Sequence, residues 1–354
     1  MPPQTELESE TIRSAASELL ECDVIAVERI GGGRNSRVFR LEDVRSNRFA
    51  LKVYVRDGND ARDRLGIEFS AFSFLWDSGL WQVPRPIASD SKRGYAIFDF
   101  IEGVRIADEK INQADLETVL GLIRSLKELC KRPESQRFEP ASEACFSVQA
   151  IVGQLEQRRL RLAGAEGTDS ALNSLNAFLA DRFSPALDRL VQWSQARLRK
   201  AGIGYEQEIP WTERTLSPSD FGFHNALRRA NGQIVFLDFE YFGWDDPAKL
   251  IADFLLHPAM DLTADMKQHF MTNAIRCFSE NPRMADRVEA VYPLFGLKWC
   301  LIFLNEFLPA DLRRRQFAHR AELDPEQLQM KQLEKARRML SRLCNEYERF
   351  PRFE

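Results

Sequence analysis

Residues 216–253 constrain this chain more than any other part of it. They carry a carboxylate, Asp220, an amide five residues on at Asn225, and a second carboxylate, Asp238, directly after the apolar run 234–237. Between the two halves lies Asn231-Gly232, a dipeptide suited to the positive φ of a tight hairpin turn. Such a hairpin returns the loop of Asp220 and Asn225 to the side of Asp238. Two oxygen ligands and a carboxylate base in one small volume are what magnesium-assisted phosphoryl transfer requires. Taken singly, Asp220 also reads as a turn residue, and Asn225 as a turn or helix cap.

Upstream, Ile12, Ala16, Leu19 and Leu20 predict an amphipathic helix over about 5–21, followed by a strand over 24–30. Gly31, Gly32, Gly33, Arg34, Asn35 and Ser36 come next, and the strand pattern resumes at 37–41. A glycine-rich turn between strands lets backbone lie close over a phosphate, although alone it is only a turn. It is not a Walker A loop, because no Gly-Lys-Ser/Thr follows. In the next strand, 49–55, Phe49, Leu51, Val53 and Val55 share one face, and Ala50 and Lys52 share the other. By itself Lys52 fits an edge lysine pointing into water. A helix over 61–76 spaces Leu65, Phe69, Phe72 and Leu75 along one side, with Glu68 in its middle. A strand over 95–101 then closes at Glu102-Gly103.

In this order the glycine turn, the Ala50-Leu51-Lys52 strand, Glu68, the strand ending at Gly103, Asp220-x-x-x-x-Asn225 and the hairpin to Asp238 resemble one family. It is that of the kinase-like small-molecule phosphotransferases, which includes the aminoglycoside phosphotransferases and the choline and ethanolamine kinases. The resemblance runs from Gly31 to Asp253. It implies an α+β, protein-kinase-like two-lobe fold. A small β-rich nucleotide-binding lobe would span 1–102, and a larger, mostly helical lobe with catalytic loop, metal loop and acceptor site would span 103–354. It implies ATP and Mg2+ as cofactors, and transfer of the γ-phosphoryl group to a hydroxyl of a small-molecule acceptor such as an amino alcohol, an aminoglycoside or a sugar.

By the same resemblance, Asp220 accepts the proton of the acceptor hydroxyl or simply orients it, and Asn225 and Asp238 hold magnesium. Gly31, Gly32, Gly33, Asn35 and Ser36 lie over the phosphates. Ala50 touches adenine, Lys52 meets the α- and β-phosphates with Glu68 as its partner, and backbone around Asp99, Phe100 and Ile101 meets the adenine edge. The chain departs from the family at Pro218, where relatives carry a loop-bracing histidine. Asp238-Phe239-Glu240-Tyr241 looks like the choline kinase version of the motif, and Glu240 would reach either the metal or an ammonium group. Tyr241, Phe242 and Trp244 either wall a cationic substrate or, the better reading, pack in the core. Asp246-Pro247 resembles the pair that opens the family's next helix, with the carboxylate as its cap.

At 354 residues, 44% hydrophobic and 29% charged, the chain has the make-up of a globular protein with room for two lobes. A formal net charge of -4 argues against a nucleic-acid partner, and Arg313-Arg314-Arg315 reads as a solvated face. Six cysteines without a C-x-x-C pair point to reduced thiols and a cytoplasmic location. The first residues lack the basic and apolar blocks of a secretory signal. The apolar run 291–308 is interrupted by Lys298, Asn305 and Glu306, so a buried helix is expected and no membrane partner. Further helices are predicted over 114–131, 147–162, 170–182, 185–200 (opened by a Ser184-Pro185 cap), 247–256, 264–279, 287–307 and 325–347.

No Gly-x-Ser-x-Gly elbow or His-Glu-x-x-His pair supports a hydrolase or zinc enzyme. The few residues between Asp238 and Asp246-Pro247 leave no room for a protein kinase's activation loop. The alternative to an active enzyme is a catalytically silent kinase-like module that binds nucleotide or a partner.

Overall fold

The computed structural model describes residues 4–32, 36–54, 62–106, 110–260, 262–318 and 324–350. Gly33, Arg34, Asn35, Val55 and Ala61 lie outside the described residues. In chain order the elements begin α1 (Gln4–Leu20), β1 (Val24–Gly32), β2 (Ser36–Asp43), β3 (Arg48–Tyr54), α2 (Arg64–Asp77), β4 (Pro86–Asp90), β5 (Tyr95–Asp99) and β6 (Val104–Arg105). Then come α3 (Gln113–Leu129), α4 (Val148–Arg161), α5 (Asp169–Phe178), α6 (Ser184–Lys200), β7 (Thr215–Ser217), β8 (Ala226–Arg228), β9 (Ile234–Phe236) and β10 (Gly243–Asp245). Helices α7 (Pro247–Leu256), α8 (Ala264–Arg276), α9 (Met284–Phe303), α10 (Pro309–Ala318) and α11 (Pro325–Glu346) complete the chain.

Two compact units result, a small β-rich lobe and a larger, mostly helical one. The first comprises Met1–Ile111, Glu128–Phe138 and Gly222–Phe242; the second comprises Asn112–Lys127, Glu139–Phe221 and Gly243–Glu354.

The first unit is built on an antiparallel sheet of order β1-β2-β3-β5-β4. Period-two alternation sends Leu51, with Phe39, Leu41 and Ile97, into a core closed by Ile12 and Ala16 of α1. It turns Lys52 and Phe98 to the face covered by α2, where Phe98 packs on Phe69 and Phe72. An aromatic chain continues from there: Phe72 to Phe239 (5.2 Å), Phe239 to Phe242 (6.0 Å), Phe242 to Phe138 (5.0 Å) and Phe138 to Phe74 (5.3 Å). The expected hairpin is β8–β9, with Gly232 at φ +85° in its turn. At Gly103 a Cβ would come 2.7 Å from the Arg228 carbonyl oxygen, so only glycine lets the chain approach β8 this closely.

In the second unit α9 is wrapped by α4, α6, α7 and α11 and most of its residues are buried, which fits the buried helix expected there. Asp246 caps α7 as expected, its Oδ1 accepting from the Ala248 N–H (2.8 Å) and its Oδ2 paired with Arg287 (2.6 Å). The strand β10 pairs with β7, and the segment at 139–141 lies against its other edge: Trp244 N–H donates to Glu139 O (3.0 Å) and Ala141 N–H to Trp244 O (2.8 Å). All six cysteines are free thiols.

Three local readings need correcting. The last strand of the sheet stops at Asp99, so Phe100 and Ile101 are irregular chain, and the polar strand β4 pairs with it unannounced. The helix expected over 170–182 ends at Phe178 and widens into a π turn, Leu179–Phe183, that runs directly into α6. Ser184 is therefore helical and caps nothing; its hydroxyl bonds back to Leu179 O (2.9 Å), beside Pro185, which has no N–H to keep the tighter register. The structure also adds a helix that the sequence reading did not list, α10, which holds the basic triplet 313–315 and whose start Pro309 favours with its fixed φ.

At Gly243 a Cβ would stand 2.3 Å from Glu139 O and 2.6 Å from Ala141 N, backbone atoms that cannot swing aside. Gly243→Ala is expected to lower the stability of the helical unit by roughly 1–3 kcal/mol, through overpacking. Urea unfolding of the variant beside the parent checks this, and equal midpoints would refute it.

Candidate active site

Lys52 is the centre of the first unit's polar cluster. Its side chain is 9% exposed, and its Nζ lies 2.6 Å from both Glu68 Oε2 and Asp238 Oδ1, and 3.4 Å from Glu240 Oε2. Each partner is delivered by a different element: the lysine by β3, Glu68 by the buried face of α2, and the two acids by the turn after β9. The edge-lysine reading is thus set aside. Glu68 is fixed further by the Phe239 N–H, which donates to Oε1 (3.1 Å), and by the Tyr54 hydroxyl, which donates to Oε2. Arg64 Nε approaches Glu240 Oε1 at 3.8 Å.

Asp238 holds its place with φ at +65°, the left-handed region, which a non-glycine residue enters at a cost of about 1–2 kcal/mol. The neighbouring Phe239, buried in the aromatic chain, anchors that turn.

Three carboxyl groups share one ammonium here. Burial disfavours the Lys52 cation, but Asp238 and Glu68 outweigh it and hold its pKa well above the ordinary lysine range. Burial likewise pushes Glu68 up to about 7; Lys52 opposes that rise, while Asp238 and Glu240 add to it. One oxygen from each of Glu68, Asp238 and Glu240 falls within 4.8 Å of the others. An all-oxygen, net-negative donor set of this kind fits a hard divalent cation such as Mg2+.

The other expected residues are distributed as follows. Gly31 and Gly32 end β1, paired with Val38 and Arg37, and Ser36 is buried at the start of β2. Ala50 sits between Arg40 and Phe98 on the face it shares with Lys52. Asp99 N–H bonds Arg85 O (2.9 Å), Phe100 N–H bonds Arg48 O (3.3 Å), and Ile101 is buried. Burial raises the Asp99 carboxyl, with Arg85 and Arg229 opposing. Asn225 ends a short 3-10 turn, and its carbonyl accepts from the Leu237 N–H (2.8 Å), so the hairpin sets it beside the residue preceding Asp238.

Asp220 belongs to the second unit, on the loop leaving β7. Its N–H donates to Pro218 O (2.9 Å), its side chain is 40% exposed, and His257 Nε2 lies 3.8 Å from its Oδ1. Two of the aromatics weighed as a substrate wall, Phe242 and Trp244, are core residues, and Tyr241 has Arg62 and Arg64 near its ring. Sequence reading passed over Tyr54, although it continues the Ala50, Lys52 face at period two. It also passed over His257, for which no local pattern gives a signal.

Because Glu68 is raised, the folded chain holds more of its proton than the unfolded chain between the ordinary value of 4.5 and about 7. Its stabilising share is complete below pH 4.5 and is lost as pH rises through 7, on the order of 3 kcal/mol in total. Glu68→Gln, neutral throughout, should flatten that decline in denaturant titrations taken from pH 4.5 to 8. An unchanged slope would refute the assignment.

The profile of the phosphotransferase enzyme family matches residues 26–266. No curated protein matches the chain. Among solved structures, spectinomycin phosphotransferase with ADP and spectinomycin aligns at 14% identity over 94% of this chain and 99% of its own, TM-score 0.62. Choline kinase from Cryptosporidium parvum aligns at 13% over 97% of each chain, TM-score 0.59. The choline kinase LicA from Streptococcus pneumoniae aligns at 14% over 95% and 99%, TM-score 0.55. These structures share the two-lobe kinase-like fold with this one. The family match covers more than half of the sequence, including every residue from the glycine turn to α7, and on it this chain belongs to the phosphotransferase enzyme family.

Proposed function

We propose that the protein is a small-molecule kinase that moves the γ-phosphoryl group of ATP to an acceptor hydroxyl. The observation that carries this reading is Lys52 Nζ standing 2.6 Å from both Glu68 and Asp238, three residues drawn from distant parts of the chain onto one atom. A buried ion cluster of this kind roughly breaks even in stability, so its worth is geometric. Lys52, held charged and aimed by Glu68, is a ready partner for the α- and β-phosphates. The backbone at Gly31, Gly32 and Ser36 covers the same phosphates, and Ala50 with the chain at 99–101 forms the adenine side. Gly33 and Asn35 complete that cover in the proposal.

Asp238 and Asn225, with Glu240 at hand, would hold magnesium, which would supply positive charge against that gathering on the transferred oxygens. Asp220 orients the acceptor hydroxyl and takes its proton as that oxygen bonds to the γ-phosphorus and the bond from phosphorus to the β–γ bridging oxygen breaks, releasing ADP. The acceptor is an amino alcohol, an aminoglycoside or a sugar. That range is supported by the neighbouring structures, one of which holds ADP and spectinomycin and two of which are choline kinases.

The test is ADP release from Mg-ATP across a panel of amino alcohols, aminoglycosides and sugars. Acceptor-dependent release is expected, and Asp220→Asn should lower it by roughly 10²–10⁴-fold. Full turnover in that variant would remove Asp220 from the mechanism. Asp238→Ala should lower release sharply and move what remains to higher magnesium concentration, with the fold intact by circular dichroism; an unchanged magnesium dependence would remove Asp238 from the metal site. Thermal stabilisation by Mg-ATP without release by any acceptor would favour a silent nucleotide-binding module.

A further inference from the structure

We propose that Lys249 and Ser219 act as positioning residues for the loop that carries Asp220, by means of a buried hydrogen-bond brace. The inference rests on the reading of Asp220 given above. Ser219, the residue before Asp220, is held at φ +66°, a backbone state that an L residue with a side chain keeps only under restraint. The restraints are present. Its hydroxyl donates to Ser142 O (2.9 Å) and accepts from Lys249 Nζ (3.3 Å), while its N–H donates to Ser217 Oγ (3.0 Å). The Asp220 N–H closes the turn on Pro218 O. The N–H and the hydroxyl of Ser219 are thereby committed, and the direction in which Asp220 leaves the turn follows from them.

Lys249 sits on the first turn of α7 with its side chain 1% exposed. Its ammonium has three N–H donors and three acceptors: Asp245 Oδ2 (2.7 Å), Asp253 Oδ2 (3.1 Å) and Ser219 Oγ. Burial disfavours its charge, yet Asp245 and Asp253 keep its pKa above the ordinary lysine value. Two acids would suffice to neutralise the cation. The third contact, to the neighbour of Asp220, is the one that transmits position.

The other anchor is equally fixed. Ser142 precedes Glu143, whose carboxylate is clamped by Lys298 (2.8 Å) and Arg158, so the carbonyl that receives the Ser219 hydroxyl belongs to a segment tied to α9 and α4. Proline at 218 has no N–H and a ring in place of a polar side chain, so it contributes only its carbonyl to this loop. The bracing comes from its neighbours.

The chain and its Ser219→Ala, Lys249→Met, double and Asp220→Asn variants are compared by two measurements. The first is ADP release from Mg-ATP, with water and with each panel acceptor. Ser219→Ala should lower kcat roughly 10- to 100-fold with KM nearly unchanged, as expected when the catalytic group is misplaced but binding is not. The double variant should lose little more than Lys249→Met alone, because both act through one hydroxyl. The second is amide hydrogen exchange, which needs no activity: protection at Asp220 should drop at least about tenfold in Ser219→Ala, with α7 amides unchanged.

Since Lys249→Met leaves the buried Asp245 and the half-buried Asp253 unmatched and risks misfolding, Ser219→Ala carries the decision. Wild-type kcat in Ser219→Ala beside an inactive Asp220→Asn would overturn the brace alone. Full activity in Asp220→Asn would overturn the site reading and the brace's role in catalysis together. Unchanged exchange at Asp220 would refute the brace whatever the kinetics show.

Discussion

An ammonium group can leave water only in the company of carboxylates, and Lys52 is an ammonium on the buried face of a sheet. Much of the first unit follows from that requirement. The lysine must have Glu68, so α2 has to lie over the sheet with this residue inward. It must also have Asp238, so the hairpin β8–β9 has to end beside β3. Asp238 reaches it only by adopting a left-handed backbone conformation, and the strain is tolerated because Phe239 is locked between Phe72 and Phe242. The aromatic chain thus supplies by dispersion and apolar burial what the ion cluster lacks in net stability.

The second unit handles its buried charges in the same manner but to another end. Lys249 between Asp245 and Asp253, Lys298 on Glu143, and Asp246 on Arg287 are each a buried charge matched inside a helical framework around α9. None is worth much as stabilisation when weighed against an apolar replacement. Each instead ties a loop or helix start to a rigid element: β10, the segment at 139–143 and the start of α7. Loops that carry chemistry gain precision when rigid elements fix their ends.

What could be read from the sequence was whatever local chemistry decides. Asn231-Gly232 demands positive φ, so the hairpin was visible; β3 alternates cleanly, so the partition of Leu51 from Lys52 was visible; Asp246-Pro247 carries both cap and N1 signals. The pairing of Lys52 with Glu68 came from the order of motifs. Glu240's approach to Lys52 was open between two roles, because a period-two argument gives the face and not the neighbour. Lys249 had no signal at all: on an amphipathic pattern a lysine on the first turn of a helix reads as solvated, and only tertiary structure buries it. The π turn at Leu179–Phe183 was hidden for the opposite reason, since helical periodicity continues through it and the register change costs no residue type.

The first unit is not one length of chain. It closes from three pieces, 1–111, 128–138 and 222–242, and its aromatic core needs all of them: Phe72, Phe74 and Phe98 from the first, Phe138 from the second, Phe239 and Phe242 from the third. On a ribosome the sheet is complete in sequence long before its last core residues exist. Until residue 242 has emerged, the face of α2 and the sheet that receives Phe239 is open, and Lys52 and Glu68 lack their third partner. At synthesis rates of about 5–20 residues per second, that leaves an exposed apolar surface for roughly ten to thirty seconds. The architecture that draws the ion cluster together from distant sequence therefore also postpones closure of the first unit's core until residue 242 has been made.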